Sequence, residues 1–297
     1  MRRLAEAHRG FVVAHGLTDH GLQPDDEGAQ GISHALMAER YALPGELIVG
    51  TDSHTPHSGA LGCVAFGVGT TDMANAFMTG AVRLALPEVL RIEVDGALPP
   101  GVGRVFEFGG AGVRRFSNDE RATLIDMTAE LGGFTGLVEP DEETLRFLRE
   151  RRGVDFRLED WMRSDAGAHY ADTLRIDATA LSPMVARPGD PGLRVAPGVT
   201  LYLQFGTADV REHCERQGWI ATFEAVGAQR LQPASGACAN CGPAASTAPE
   251  QVTLSEVNRN FPGRSGPGQV WLASPATVAA SAIAGKLCSF GELLAQG

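Results

Sequence analysis

Short apolar runs alternate along this chain with capped helical stretches, and that order constrains its fold more than any other feature. Residues 46–50 read as a buried strand, and residues 71–80 behind them read as a helix. Residues 89–94 alternate as a strand. Ser117 and Glu120 form a capping box ahead of an apolar helical pattern that runs to about Leu131. A further helix is expected from about Asp141 to just before Gly153. Residues 199–205 read as a strand, Thr207 as the cap of a helix ending at Gly218, and residues 270–273 as a strand. Ser274 and Pro275 then supply the N-cap and first turn of a small-residue helix. Strands separated by helices imply an α/β fold with parallel sheets flanked by helices. The punctuation suggests three parts, residues 1–88, 89–180 and 181–297, with a Pro- and Gly-rich linker at 186–198 before the last strand and helix pairs.

Charge and composition limit the partners. The formal net charge is −11, from 25 basic and 36 acidic residues, so nucleic acid and anionic membranes are not expected to bind. No apolar run approaches the ~20 residues that span a bilayer, and the start MRRLAEAHRGFVV turns charged too early for a signal peptide. Five cysteines form no evident disulfide framework, which points to a reducing cytoplasm. Cys63, Cys214 and Cys288 are isolated and read as small packed hydrophobes.

Three constellations can carry chemistry. The strand at 46–50 runs straight into TDSHTPHSGALG, residues 51–62, read as a loop at the C-terminal end of a strand, where open α/β sheets place ligands. Asp52, His54 and His57 lie in it, and a carboxylate beside an imidazole can hold one tautomer and tune its basicity. The bland alternative is a solvated loop. Cys238 and Cys241 have the CxxC spacing in which two thiolates can share one metal, or are simply two small residues in a turn. Asn258-Arg259-Asn-Phe-Pro-Gly-Arg264 sets two guanidinium groups around a turn, able to grip carboxylates or merely to sit in water.

The ordered set VGTDSHTPHSGALGCVAFGVGTTDMA, then CANC, then NRNFPGR followed by VWLASPATVAASAIAGK resembles the aconitase superfamily, most closely the large subunits of 3-isopropylmalate dehydratases. GISHALMAERYALPGELIVGTDSHT, FEFGGAGVRRFSNDERATLIDMTAELGG and DATALSPMVARP extend the likeness to nearly the whole chain. The resemblance implies a hydro-lyase or isomerase that removes and re-adds water on a small hydroxy di- or tricarboxylate. It implies proton handling by Asp52 and His54, with His34 and Glu107 as further catalytic groups. It places Arg259 and Arg264 on the substrate carboxylates, with Asn258 and Ser53 beside them. It implies a separate small, swivelling subunit, and a [4Fe–4S] cluster held by three cysteines, of which Cys238 and Cys241 match two.

The departures are equally specific. The Gly-Ser-Cys-Thr-Asn motif that carries the family's first cluster cysteine is absent, and residues 181–188 run into the linker in its place. The chain starts after the family's early Asp-His pair, is shortened beyond residues 100–102, and has Asp126 where the family usually has asparagine. Two thiolates alone make a poor cubane site. Two alternatives therefore stand beside the dehydratase reading: a cluster-free relative acting on a similar carboxylate, and a non-catalytic subunit.

Overall fold

The computed structural model describes residues 2–21, 29–93, 104–177, 199–225 and 227–295. The linker at 186–198, the segment at 181–188, the boundary at 180/181, Val94 and residues 100–102 lie outside the described residues. In chain order the elements are α1 (Arg2–His15), α2 (Ser33–Leu36), a π-helical turn (Met37–Tyr41), β1 (Leu47–Gly50), a 3-10 helix (Thr55–Leu61), β2 (Val64–Gly67) and α3 (Thr70–Thr79). They continue as β3 (Val89–Glu93), β4 (Val105–Gly109), α4 (Gly110–Val113), α5 (Asn118–Glu130), β5 (Thr135–Val138), α6 (Glu142–Arg152) and β6 (Asp172–Arg175). After the linker come β7 (Tyr202–Leu203), α7 (Ala208–Arg216), α8 (Trp219–Ala225), β8 (Gln229–Arg230), β9 (Val252–Ser255), β10 (Gln269–Leu272), α9 (Pro275–Ala284) and α10 (Phe290–Ala295).

Every pair of these strands is parallel, as the alternating pattern predicts, and helical segments separate β1 from β2, β4 from β5, β5 from β6 and β7 from β8. The chain forms two compact units, Ser33–Leu181 and Met1–Ile32 with Ser182–Gly297. The first holds a four-stranded sheet in the order β5-β4-β3-β6 and the pair β1-β2. Its larger core gathers Leu90, Ile92, Phe106, Phe108, Val113, Ile125 and Val138 from the sheet, α4 and α5. A second core under β1 and β2 joins Ile48, Leu61, Cys63, Ala65, Phe147 and Leu148. The other unit carries the pairs β9-β10 and β7-β8. The expected strand over 199–205 is reduced there to Tyr202–Leu203, because only those two residues find a ladder partner, in β8.

The stretch after β1 is more than a loop. Its residues turn and then wind into the 3-10 helix, in which Thr55, Pro56, Ser58, Gly59, Ala60 and Leu61 are all buried. This helix packs against α5 and β5. At Gly59 the approach is so close that a β-carbon would sit 1.9 Å from the carbonyl oxygen of Gly136. Gly62, at φ 81°, ends the helix in the left-handed conformation and lets the chain enter β2.

The caps on α5 and α6 are those expected. Ser117 accepts from the Glu120 amide while Glu120 accepts from the Ser117 amide. Asp141 caps α6 and also receives two hydrogen bonds, each 2.8 Å, from the wholly buried Arg121 on α5. Burial pushes the Asp141 carboxyl up, but the hydrogen bonds and charge of Arg121, with the Thr144 and Glu143 amides, outweigh it and hold the carboxyl below its ordinary value.

Two outcomes follow. Gly59→Ala forces backbone apart and lowers stability by about 3 kcal/mol or more, read as the shift in urea midpoint. Asp141→Ala strands the Arg121 charge and costs about 3 kcal/mol at neutral pH. Because the carboxyl is depressed in the folded state, its stabilisation is complete above the unfolded value of about 3.9 and is lost as pH falls through the folded one. The gap between variant and parent therefore narrows in urea titrations below about pH 4.

Candidate functional site

The Ser33–Leu181 unit brings together His34, Asp52 and His54, expected as catalytic groups, with Ser53, expected to bind substrate. His34 lies on α2, and the other three form the turn at the C-terminal end of β1. His34 Nδ1 lies 2.5 Å from Asp52 Oδ2, and the Ser33 hydroxyl donates to the same oxygen at 3.1 Å. The His54 amide donates to Asp52 Oδ1 at 3.1 Å, and His54 Nδ1 stands 3.6 Å from that oxygen. Burial alone would raise the Asp52 carboxyl. The hydrogen bonds from the His34 and His54 side chains and the His54 amide, with the charge of His34, overcome it and hold the carboxyl far below the usual carboxylate range. Asp52 is thus a fixed anion between two imidazoles. The Ser53 hydroxyl is 3.4 Å from His54 Nδ1.

His57, grouped with Asp52 and His54 in the sequence, joins the cluster, and two residues of α5 that the sequence did not place beside it, Asp126 and Glu130, complete it. His57, inside the 3-10 helix, places Nδ1 at 3.1 and 3.2 Å from the two carboxylate oxygens of Asp126. His54 Nε2 is 3.3 Å from Glu130 Oε1. Asp126 and Glu130 stand four residues apart on α5, hence on one helix face, and that spacing is the signal by which they can be found. The His34 ring centre lies 5.4 Å from that of His54 and 5.1 Å from that of His57. Three imidazoles and three carboxylates therefore share one patch.

Glu107 stands apart from this set. It is no exposed strand residue: on β4 it is largely buried, charge-paired with Arg91, and accepts from Ser164 at 2.5 Å and Tyr170 at 3.0 Å. None of its hydrogen bonds among the described residues reaches His34, Asp52 or His54.

The other unit holds the cysteine pair and the arginines. Cys238 lies in a short 3-10 turn, Gly236–Ala239, which Asn240 ends in the left-handed conformation at φ 55°. Phe261-Pro-Gly-Arg264 is a tight turn closed by the Arg264 amide on the Phe261 carbonyl at 3.0 Å, with Gly263 at φ 82°. The turn aims the guanidinium back at the cysteines: Arg264 Nη2 is 3.5 Å from Cys238 Sγ. Cys238 Sγ is 3.9 Å from Asn258 Oδ1. Arg264 Nε is buried with no hydrogen-bond partner among the described residues, and no described carboxylate lies within ion-pair reach of this side chain. Arg259 is neighbour to Asn258 in the same segment.

All five cysteines are described and free. Cys63 is buried in a core, donates to the Leu43 carbonyl at 3.1 Å, and is pushed up to about 12 by burial. Cys288 is buried as expected, whereas Cys214 on α7 is only half-buried because that helix buries none of its residues fully. Among the described residues no His, Cys, Asp or Glu completes a three-donor group with Cys238 and Cys241. Brief alkylation of the native protein is expected to label Cys241 first and Cys63 and Cys288 last, resolved by peptide mass spectrometry.

The profile of the Aconitase family (aconitate hydratase) matches residues 4–103, 100–196 and 189–285. A 3-isopropylmalate dehydratase large subunit 1 from Methanopyrus kandleri is 31% identical over 343 aligned positions, covering 95% of this chain and 81% of that protein. A 3-isopropylmalate dehydratase large subunit from Elusimicrobium minutum is 32% identical, covering 90% of this chain and 78% of its own length. A probable 3-isopropylmalate dehydratase large subunit from Methanothermobacter thermautotrophicus is 30% identical over 97% and 82%. Proteins of this family generally use a [4Fe–4S] cluster. The cysteine pair here, with no third donor among the described residues, does not fit a cubane held by three thiolates. This chain belongs to the aconitase family of hydro-lyases, as a shortened member of large-subunit type.

Proposed function

We propose that this protein dehydrates, or hydrates in reverse, a small hydroxy di- or tricarboxylate of the kind handled by 3-isopropylmalate dehydratases, together with a small-subunit partner. The observation that carries the reading is Asp52, an anion held between His34 and His54 at the end of β1. Dehydration needs a base for the proton beside a carboxylate, a cation to hold that carboxylate as its charge grows, and assistance for the departing hydroxide. An imidazole oriented by a fixed carboxylate suits the first task, since the pairing settles its tautomer. Arg264 suits the second, because among the described residues its guanidinium has a buried, unpartnered Nε and no counter-ion. A substrate carboxylate supplies both missing partners. Arg259, Asn258 and Ser53 complete the proposed substrate set.

The cluster-free form of this chemistry is favoured by one observation. Among the described residues the thiols of Cys238 and Cys241 have no third donor beside them, and Cys238 faces Arg264 and Asn258. Its Sγ accepts from the guanidinium and so steadies a carboxylate-binding side chain.

The test is a hydration assay on the purified chain with its partner subunit. Loss of the ultraviolet absorbance of a conjugated double bond is followed over a panel of unsaturated di- and tricarboxylates. At least one acid is expected to turn over. Arg264→Lys is expected to lower kcat/KM by about 30- to 1000-fold, which is about 2–4 kcal/mol, chiefly through KM. A panel that stays inert with the partner present would refute the assignment.

A further inference from the structure

We propose that His34, His57 and Asp126 form a binding site for a divalent transition-metal cation. The three residues each offer a donor atom, and these atoms lie within 4.8 Å of one another. Two imidazoles and a carboxylate with room for further ligands is a donor set suited to zinc, iron(II), cobalt or manganese.

The spacing fits. Donors about 2.1 Å from a cation stand about 3.0 to 3.4 Å apart when they are neighbours in octahedral or tetrahedral geometry. His57 Nδ1 and the Asp126 oxygens, at 3.1 and 3.2 Å, already have that separation. His34 is oriented from behind. Its Nδ1 is held by Asp52 at 2.5 Å, while its Nε2 makes no hydrogen bond among the described residues. A carboxylate bonded to one ring nitrogen, with the other left for the metal, is the usual arrangement behind a ligating histidine.

Charge points the same way. Asp126 has no arginine or lysine within ion-pair distance among the described residues, and its polar partner is His57. Among the described residues the cationic partners of Asp52 are likewise imidazoles, His34 and His54. With Glu130 beside His54, three carboxylates surround three imidazoles. A dication offsets this charge directly. The donors are carried by α2, the 3-10 helix and α5, two of which pack tightly together, so their positions are set before any ion arrives.

Binding of the cation stands on this geometry alone. Its use in the reaction rests on the hydro-lyase reading. There it polarises the substrate's C–O bond, so that hydroxide leaves with the bonding electron pair. The base takes the proton from the adjacent carbon, and that C–H electron pair becomes the double bond. Proton and hydroxide together are the water released.

The experiment adds Co²⁺ to metal-stripped full-length chain and follows the visible d–d absorption and, by equilibrium dialysis, the bound metal. About one equivalent per chain is expected to bind. His57→Gln and Asp126→Asn should abolish the spectrum while retaining cooperative thermal unfolding. Asp52→Asn should weaken binding about 10- to 100-fold, because it frees the His34 ring. The double variant Cys238→Ser with Cys241→Ser should bind as the parent does. Binding that survives in folded Asp126→Asn, or that vanishes in the cysteine variant, overturns the site. If Co²⁺ binds as described yet no acid in the hydration panel reacts, the site stands and the hydro-lyase reading falls. If hydration persists unchanged in metal-free Asp126→Asn, the cation's catalytic use is overturned.

Discussion

The close contact of Gly59 with the Gly136 carbonyl is the constraint on which the rest of the Ser33–Leu181 unit depends. It seats a buried 3-10 helix against β5 and α5, with no room for a side chain between the two backbones. Once that helix is seated, His57 must face α5, where Asp126 waits, and His54 at its N-terminus must lie beside Glu130. Rigid backbone contact is what turns a polar stretch after a strand into an ordered set of donors. A solvated loop of the same composition would leave those imidazoles free to rotate.

The two units divide the electrostatic work. One concentrates carboxylates around imidazoles, with Asp52 kept ionised by the hydrogen bonds it receives. The other presents Arg264, which lies against the Cys238 thiol and over the Phe261 ring and has no carboxylate in ion-pair reach among the described residues. An acidic chain has no general attraction for an anion, so on the proposed reading the carboxylate is held by this pre-placed guanidinium. The Pro262–Gly263 turn does the placing, since it reverses the backbone and sends the Arg264 side chain toward Cys238.

The cysteines make this member of the family unusual. Cys63 and Cys288 are committed to packing, and Cys214 lies on a helix remote in sequence from the CxxC turn. The remaining pair is too few for a three-thiolate cluster. The His–Asp patch of the other unit has the donor types that a mononuclear cation prefers.

The local signals were all in the sequence. Ser117 with Glu120, Asp141, Thr207 and Ser274 cap their helices as their residue types require, because a cap needs only the few amides that follow it. The strand read over 46–50, formed as Leu47–Gly50, was legible from its short apolar run, and the motif behind it made the family legible. Other features were decided by contacts distant along the chain. The 3-10 helix, the burial of Glu107 beside Arg91 and Tyr170, and the meeting of His57 with Asp126 all depend on segments tens of residues away. Spacing along one element shows which side chains share a face, but only the packing of that face against another element determines which partner it meets.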